Sequence, residues 1–209
     1  MRLLNQLLNI SIIFLVASAQ LIVPQIVLDQ TAEGSQRIMT QPAVPEDFTS
    51  PPMLSDQLSL EPQASIFFSY ARESAKLSGI LSGVGEYSGQ KYTVFVPTNK
   101  AVMTLARKPH QSVEDGSIEI TDEEAERQSQ VNVERWLSAH FIPGTIGLDK
   151  GAEGEHQTLL DGKPLSLSRL PSHNTPEWAN WRVNSESHII AKREAPNGII
   201  YLMEGVIEV

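Results

Sequence analysis

The chain contains no cysteine. That excludes a disulfide framework and any zinc site built on thiolates, so the fold has to rest on its own core. Clustered Lys and Arg are missing too, with 16 bases against 25 acids and a net charge of −9. Phosphate backbones are held by basic patches, so nucleic acid is not expected as a partner. After residue 20 no long apolar run occurs, and a spanning helix needs about 20 such residues. The Gly-x-Ser-x-Gly elbow of serine hydrolases and the His-Glu-x-x-His zinc motif are both absent. Gly205 to Val209 lacks the polar spacer and hydrophobic tail of a lipid-anchor signal.

What is present begins with an address. Arg2 provides a positive start, Leu7 to Val16 is an apolar run broken by Asn9 and Ser11, and Ala17-Ser18-Ala19 is a small-residue cleavage site before Gln20. Residues 1–19 therefore read as a secretory signal cut between Ala19 and Gln20. The alternative, an uncleaved membrane anchor, asks for a longer apolar run. The one Asn-x-Ser/Thr acceptor, Asn9-Ile10-Ser11, falls inside this segment, so N-glycosylation of the trimmed chain is not expected. Residues 20–52 carry Pro24, Pro42, Pro45, Pro51 and Pro52 among Gln, Thr, Ser and Glu. They read as a Pro-rich flexible arm, because such a stretch buries little apolar surface.

A domain is expected over 53–209, where the hydrophobic content (41% of the chain) can build a core. Leu54, Leu58 and Leu60 suggest a short helix ending near Pro62. Ile66, Phe67, Tyr70, Leu77, Ile80 and Leu81 lie near one helical stripe over 64–81. Gly83-x-Gly85 could suggest a nucleotide loop, but that motif follows a strand and here it precedes one. Lys91 to Val96 is β-branched and aromatic, and Pro97 stops it. Thr98 or Asn99 then caps a helix through Ala101, Val102 and Leu105. The acids between Pro109 and Gln130 lack the ligand pattern of a calcium loop. Thr121-x-x-Glu124 is instead a capping box, opening a helix that buries Val133, Trp136, Leu137, His140 and Phe141 and is terminated by Ile142-Pro143-Gly144. Beyond it, His156 to Leu160 and Lys163 to Arg169 flank Asp161-Gly162 as a hairpin. A loop with Pro171 and Trp178 leads into a strand over 181–184. Ser187 to Glu194 and Ile199 to Val209 flank Asn197-Gly198, read as a type I′ turn with both residues at positive φ.

Two of these segments carry a resemblance. Tyr92 to Val102, a strand followed by Pro-Thr-Asn and a helix, and Asn197 to Ile207, Asn-Gly followed by an apolar strand, resemble the two signatures of the fasciclin domain. His140 with Ile142-Pro143-Gly144 resembles the His-containing element between them. The resemblance implies an α+β fold in which a twisted β-sheet wedge is flanked by several α-helices. It implies a structural role for Thr98, Asn99, His140, Asn197 and Gly198, and an adhesion-type, non-catalytic function without a cofactor. A single domain behind a signal peptide also resembles small fungal members of the secretory pathway, in the vacuole lumen or secreted. The partner would be a protein or glycan surface. Integrin binding is not expected, because Lys100 is followed by Ala101 and not by an acid, and no Arg-Gly-Asp occurs. The competing reading is a soluble hydrolase or small-ligand-binding protein with its site in the 171–181 loop, where His173, Trp178 and Trp181 gather. A metal site of His156, His173 and an acid is a variant of it.

Overall fold

The computed structural model of the protein describes residues 50–111, 121–148, 151–171 and 176–209. The expected signal, its Ala19–Gln20 cleavage site, nearly all of the Pro-rich arm, the acidic positions 114–119 and His173 lie outside these residues. None of the helices formed by the described residues is long and apolar enough to cross a membrane.

Three short helices come first: α1 (Leu54–Ser59), α2 (Ser65–Glu73) and α3 (Ala75–Ser82). The single stripe expected over 64–81 is therefore broken. Ser74 leaves the helical region (φ −89°, ψ 117°) and its Oγ accepts the Leu77 N–H at 3.4 Å, so a serine cap restarts the helix with a new axis. Gly83, at φ 64°, closes α3 in the left-handed conformation common at helix ends. Strand β1 (Tyr92–Pro97) follows, then α4 (Asn99–Thr104) and α5 (Asp122–Ser138). At the start of α5, Thr121 Oγ1 accepts the Glu124 N–H, and the Glu124 carboxylate accepts the Thr121 N–H. The helix stops at Ser138 and does not run on to Phe141. His140 and Phe141 continue the apolar spacing, but Phe141–Pro143 forms strand β2, antiparallel to β1. Burial in a helix end and burial in a strand satisfy the same pattern here.

The remaining strands are β3 (Gly154–His156), β4 (Leu165–Arg169), β5 (Trp181–Val183), β6 (Ser187–Ala195) and β7 (Gly198–Met203). They complete a seven-stranded sheet in the order β2-β1-β7-β6-β5-β4-β3. It is twisted and nearly closed. Only β1 and β7 run parallel, in register from Tyr92↔Gly198 to Pro97↔Met203.

Both of these strands are buried at every position, as expected for strands covered on two faces. Tyr92, Val94, Val96, Ile200 and Leu202 face a cluster with Leu54, Leu58, Phe67, Leu77 and Trp136 from the helices. Phe95, Ile199, Tyr201 and Met203 face a second cluster with Leu148, Leu165, Trp181 and Val183. The first and last strands of the domain are thus the wall between two cores.

Two turns differ from expectation. In the β6–β7 hairpin, Ala195 pairs with Gly198, so the turn is Pro196-Asn197 and not Asn197-Gly198. Asn197 does not have positive φ. The described non-glycine residues that do are Asn184 (49°) and Ser185 (64°), between β5 and β6. There the Glu186 N–H bonds the Val183 carbonyl at 3.2 Å, closing a turn of the I′ kind. In the β3–β4 hairpin, strand pairing starts at His156↔Leu165 and the connection spans 157–164. Leu159 N–H is drawn to the Phe141 carbonyl, and Thr158 Oγ1 binds the Leu160 and Lys163 carbonyls. Asp161-Gly162 does form a turn, with the Lys163 N–H on the Leu160 carbonyl at 3.2 Å and Gly162 at φ 73°, but the Leu159 and Thr158 bonds hold its flanks apart from the strand pairing.

Candidate functional site

Asn197 is 6% exposed and its side chain uses both ends. Oδ1 accepts the Leu54 N–H at 3.0 Å, at the first turn of α1. Nδ2 donates to the Ile80 carbonyl at 3.1 Å and the Leu81 carbonyl at 2.9 Å, in the last turn of α3. Helix ends leave such N–H and C=O groups without partners of their own, and one amide serves two helices at once. The Asn197 main-chain carbonyl accepts the Tyr92 N–H at 3.0 Å, which adds the start of β1 to the junction. Gly198, at φ 149°, lies directly against β1: a Cβ there would collide with the Tyr92 carbonyl oxygen. The Asn-Gly pair is thus a three-way junction of α1, α3 and β1, placed at the mouth of the last hairpin.

The first signature is tied just as firmly. Thr98 Oγ1 accepts the Ala101 N–H at 3.2 Å and caps α4, while its own N–H bonds the Met203 carbonyl at 3.0 Å. Asn99 does not share that cap. Its Oδ1 accepts the Ile66 N–H at 2.9 Å, and its Nδ2 reaches the Pro62 carbonyl and Ser65 Oγ at 2.9 and 3.0 Å. It therefore caps α2 from another helix.

His140 is fully buried. Its ring lies 4.6 Å from the Trp136 ring and 5.5 Å from Phe67, centroid to centroid. Nδ1 sits 2.8 Å from the Trp136 carbonyl, and a carbonyl only accepts, so Nδ1 carries the proton of the neutral ring. Burial lowers its pKa from 6.5 to about 4, and the bond to Trp136 offsets part of that effect. The His140 carbonyl accepts the Phe95 N–H at 2.9 Å. The residue thus joins the end of α5 to β1.

A scan against protein families brings the two signatures together, because the Fasciclin domain matches residues 62–209. The chain belongs to the fasciclin domain family. Helix α1 precedes the matched span, yet Leu54 and Leu58 are buried in the fasciclin core and Leu54 is bonded to Asn197. A FAS1 domain-containing protein of Aspergillus fumigatus is 30% identical over 125 residues, which are 57% of this chain and 50% of that protein. The chain spans half the length of this curated relative. The structure of a FAS1 domain pair from the insect cell adhesion molecule fasciclin I superposes with a TM-score of 0.50 at 12% identity. That match covers 75% of this chain and 51% of the other, and at that identity it speaks for the fold.

Of the residues of the competing reading, Trp178 and Trp181 meet in the second core, and His173 lies outside the described residues. Trp181 is 2% exposed in β5 and Trp178 packs against the same second core, so both indoles are used for packing. His156 Nε2 is 2.9 Å from the Ala152 carbonyl, and His110 Nδ1 is 3.1 Å from the Tyr70 hydroxyl. Among the described residues no three His, Asp or Glu side chains come close enough to share a metal ion. Two structural residues escaped sequence reasoning. Tyr201 Oη donates to the Ile146 carbonyl at 2.9 Å and accepts the Leu148 N–H at 3.1 Å. Thr93 Oγ1 donates to the Gly144 carbonyl and accepts the Ile146 N–H, both at 2.9 Å. Together they pin the segment after β2 to the parallel strands. A Thr and a Tyr in apolar strands were the available signal, since buried hydroxyls need partners.

Proposed function

We propose that this fasciclin domain is a non-catalytic interaction module of the adhesion type. It enters the secretory pathway behind the residue 1–19 signal and acts in the vacuole lumen or outside the cell. Its partner is a protein or glycan surface. The observation that carries this reading is how the polar groups of the signatures are used. Thr98, Asn99, Asn197 and His140 all spend side-chain hydrogen-bonding groups on holding main-chain groups of the helices α1 to α5. A nucleophile or base needs a reachable lone pair and a poised pKa, and the His140 ring is sealed among aromatic side chains. Lys100-Ala101 lacks the acid of integrin-binding relatives, so recognition uses other surface. The test combines imaging of a C-terminally tagged chain with cross-linking capture from the compartment where it resides. Luminal or extracellular signal and a partner lost on unfolding the domain are expected. Cytosolic signal from the full chain, or turnover of a substrate by the purified domain, would overturn the reading.

A further inference from the structure

A pocket of about 460 Å³ opens where the last turn of α4, the start of β6 and the chain after β7 meet. That volume falls within the range of small-ligand sites. Two main-chain bonds bring the segments together. The Thr98 N–H on the Met203 carbonyl, at 3.0 Å, seats α4 on the end of β7. The Glu204 N–H on the His188 carbonyl, also at 3.0 Å, holds the following chain to β6.

Ser187 lines this pocket although it is only 7% exposed. Its main chain pairs with Val183, but its hydroxyl bonds no other residue. The sealed side-chain polar atoms without a partner belong to Asn132, Trp136, His140 and Arg182. Ser187 Oγ is not among them, so the free hydroxyl is reachable from the pocket. Gly205, on the same lining, keeps it so: a Cβ at that position would occupy the place of Ser187 Oγ. A hydroxyl this enclosed is ordinarily bonded, and here its open side faces the pocket.

The charge of the lining selects the ligand. Glu186, Glu204 and Glu208 all stand on it, and no Lys or Arg does. The three are exposed and none pairs with a cation among the described residues. The net charge of −9 adds to the negative potential, so anions are disfavoured. The carboxylates do not converge, since among the described residues no three His, Asp or Glu side chains can share a metal ion. Negative charge spread in this way suits a cation whose charge is also spread. Thr104 Oγ1, which gives its proton to the Ala101 carbonyl at 2.7 Å, adds an acceptor, and Leu105 and Val206 add apolar wall.

We infer that this pocket binds a small aliphatic polyamine. Its ammonium groups donate to Ser187 Oγ and to the carboxylates, while the methylene chain lies along Leu105 and Val206. The inference does not depend on where the protein is delivered or on its surface partner.

The test titrates the full chain at low salt with spermidine, using butylamine, tetramethylammonium, calcium and a lysine tripeptide for comparison. Affinity is read by calorimetry and the location by amide shifts. Spermidine should bind with a Kd on the order of 1 mM and move amides at 186–188 and 204–206. Butylamine and calcium should bind about tenfold more weakly, and tetramethylammonium, which has no N–H, should not bind. Ser187→Ala removes no bond within the protein, so it should fold as the parent does and weaken spermidine about tenfold. Glu186→Gln combined with Glu204→Gln should do the same. Glu126→Gln removes an equal charge from α5, off the pocket, and should leave binding unchanged. No binding of spermidine up to about 20 mM would overturn the inference. So would calcium or butylamine binding as tightly, full affinity in Ser187→Ala, or an equal loss in Glu126→Gln. Tighter binding of the lysine tripeptide would also overturn it, in favour of a basic segment of a partner protein.

Discussion

Replacing Asn197 by Gly separates two explanations of why an asparagine stands there. Were the residue chosen for positive φ in a type I′ turn, glycine would serve at least as well. The φ of Asn197 is not positive, and the side chain makes three hydrogen bonds to α1 and α3. Asn197→Gly and Asn197→Ala both delete them. The Ile80 carbonyl keeps a partner in the Gly83 N–H. The Leu54 N–H and the Leu81 carbonyl each lose the bond that Asn197 made. Burying an unsatisfied polar group costs about 1–3 kcal/mol, so two give about 2–6 kcal/mol. That is a large part of the 5–15 kcal/mol that holds a typical domain, and corresponds to a fall in Tm of about 5–20 °C for a chain of this size. Circular dichroism melts and urea titrations of both variants measure it, with the midpoint falling and the slope unchanged. Asn197→Asp should be no better, since it keeps Oδ1 but turns a charge towards two carbonyls. A Gly variant that melts with the parent protein would refute the junction and restore the turn explanation.

Stability should fall in acid through His140. Its folded pKa, about 4, lies below the unfolded value of 6.5, so the unfolded state takes up the proton first and stability drops as pH falls from 6.5 to 4. The full loss is about 3 kcal/mol, and His140→Gln should flatten that limb of a urea-midpoint-against-pH curve. Gly198→Ala should abolish the native fold, because its Cβ would occupy the position of the Tyr92 carbonyl oxygen; recovery of a dispersed NMR spectrum would contradict this. Thr98→Ala should cost about 1 kcal/mol as a lost cap, seen as a Tm lower by a few degrees. Asn99→Ala should speed amide exchange at Ile66 in α2, whose N–H it holds, more than at α4 itself.

Local chemistry was the readable part of the fold. A strand of β-branched residues stopped by Pro97, a Thr98 cap and the Thr121 capping box depend on neighbours within four residues, and all three took their expected form. The helix-to-strand change after Ser138 was not readable, because His140 and Phe141 are apolar-facing in either geometry and only pairing with β1 selects the strand. Asn197 was found for a local reason and is held for a distant one. Its partners lie 143, 117 and 116 residues away, beyond the reach of any turn rule. Trp136 shows the same limit: it reads as core from spacing alone, and its unpartnered N–H is visible only once the walls around it are built.

By itself, the sequence determined most element types, the two signature segments and the α+β class, because helix caps, strand stops and apolar periodicity act over a few residues. Tertiary structure alone decided that β1 and β7 meet in parallel between two cores, that one buried amide joins three elements, and where donors are left without acceptors. Those outcomes depend on which distant groups compete for the same buried hydrogen-bonding partners, and that competition exists only in the folded chain.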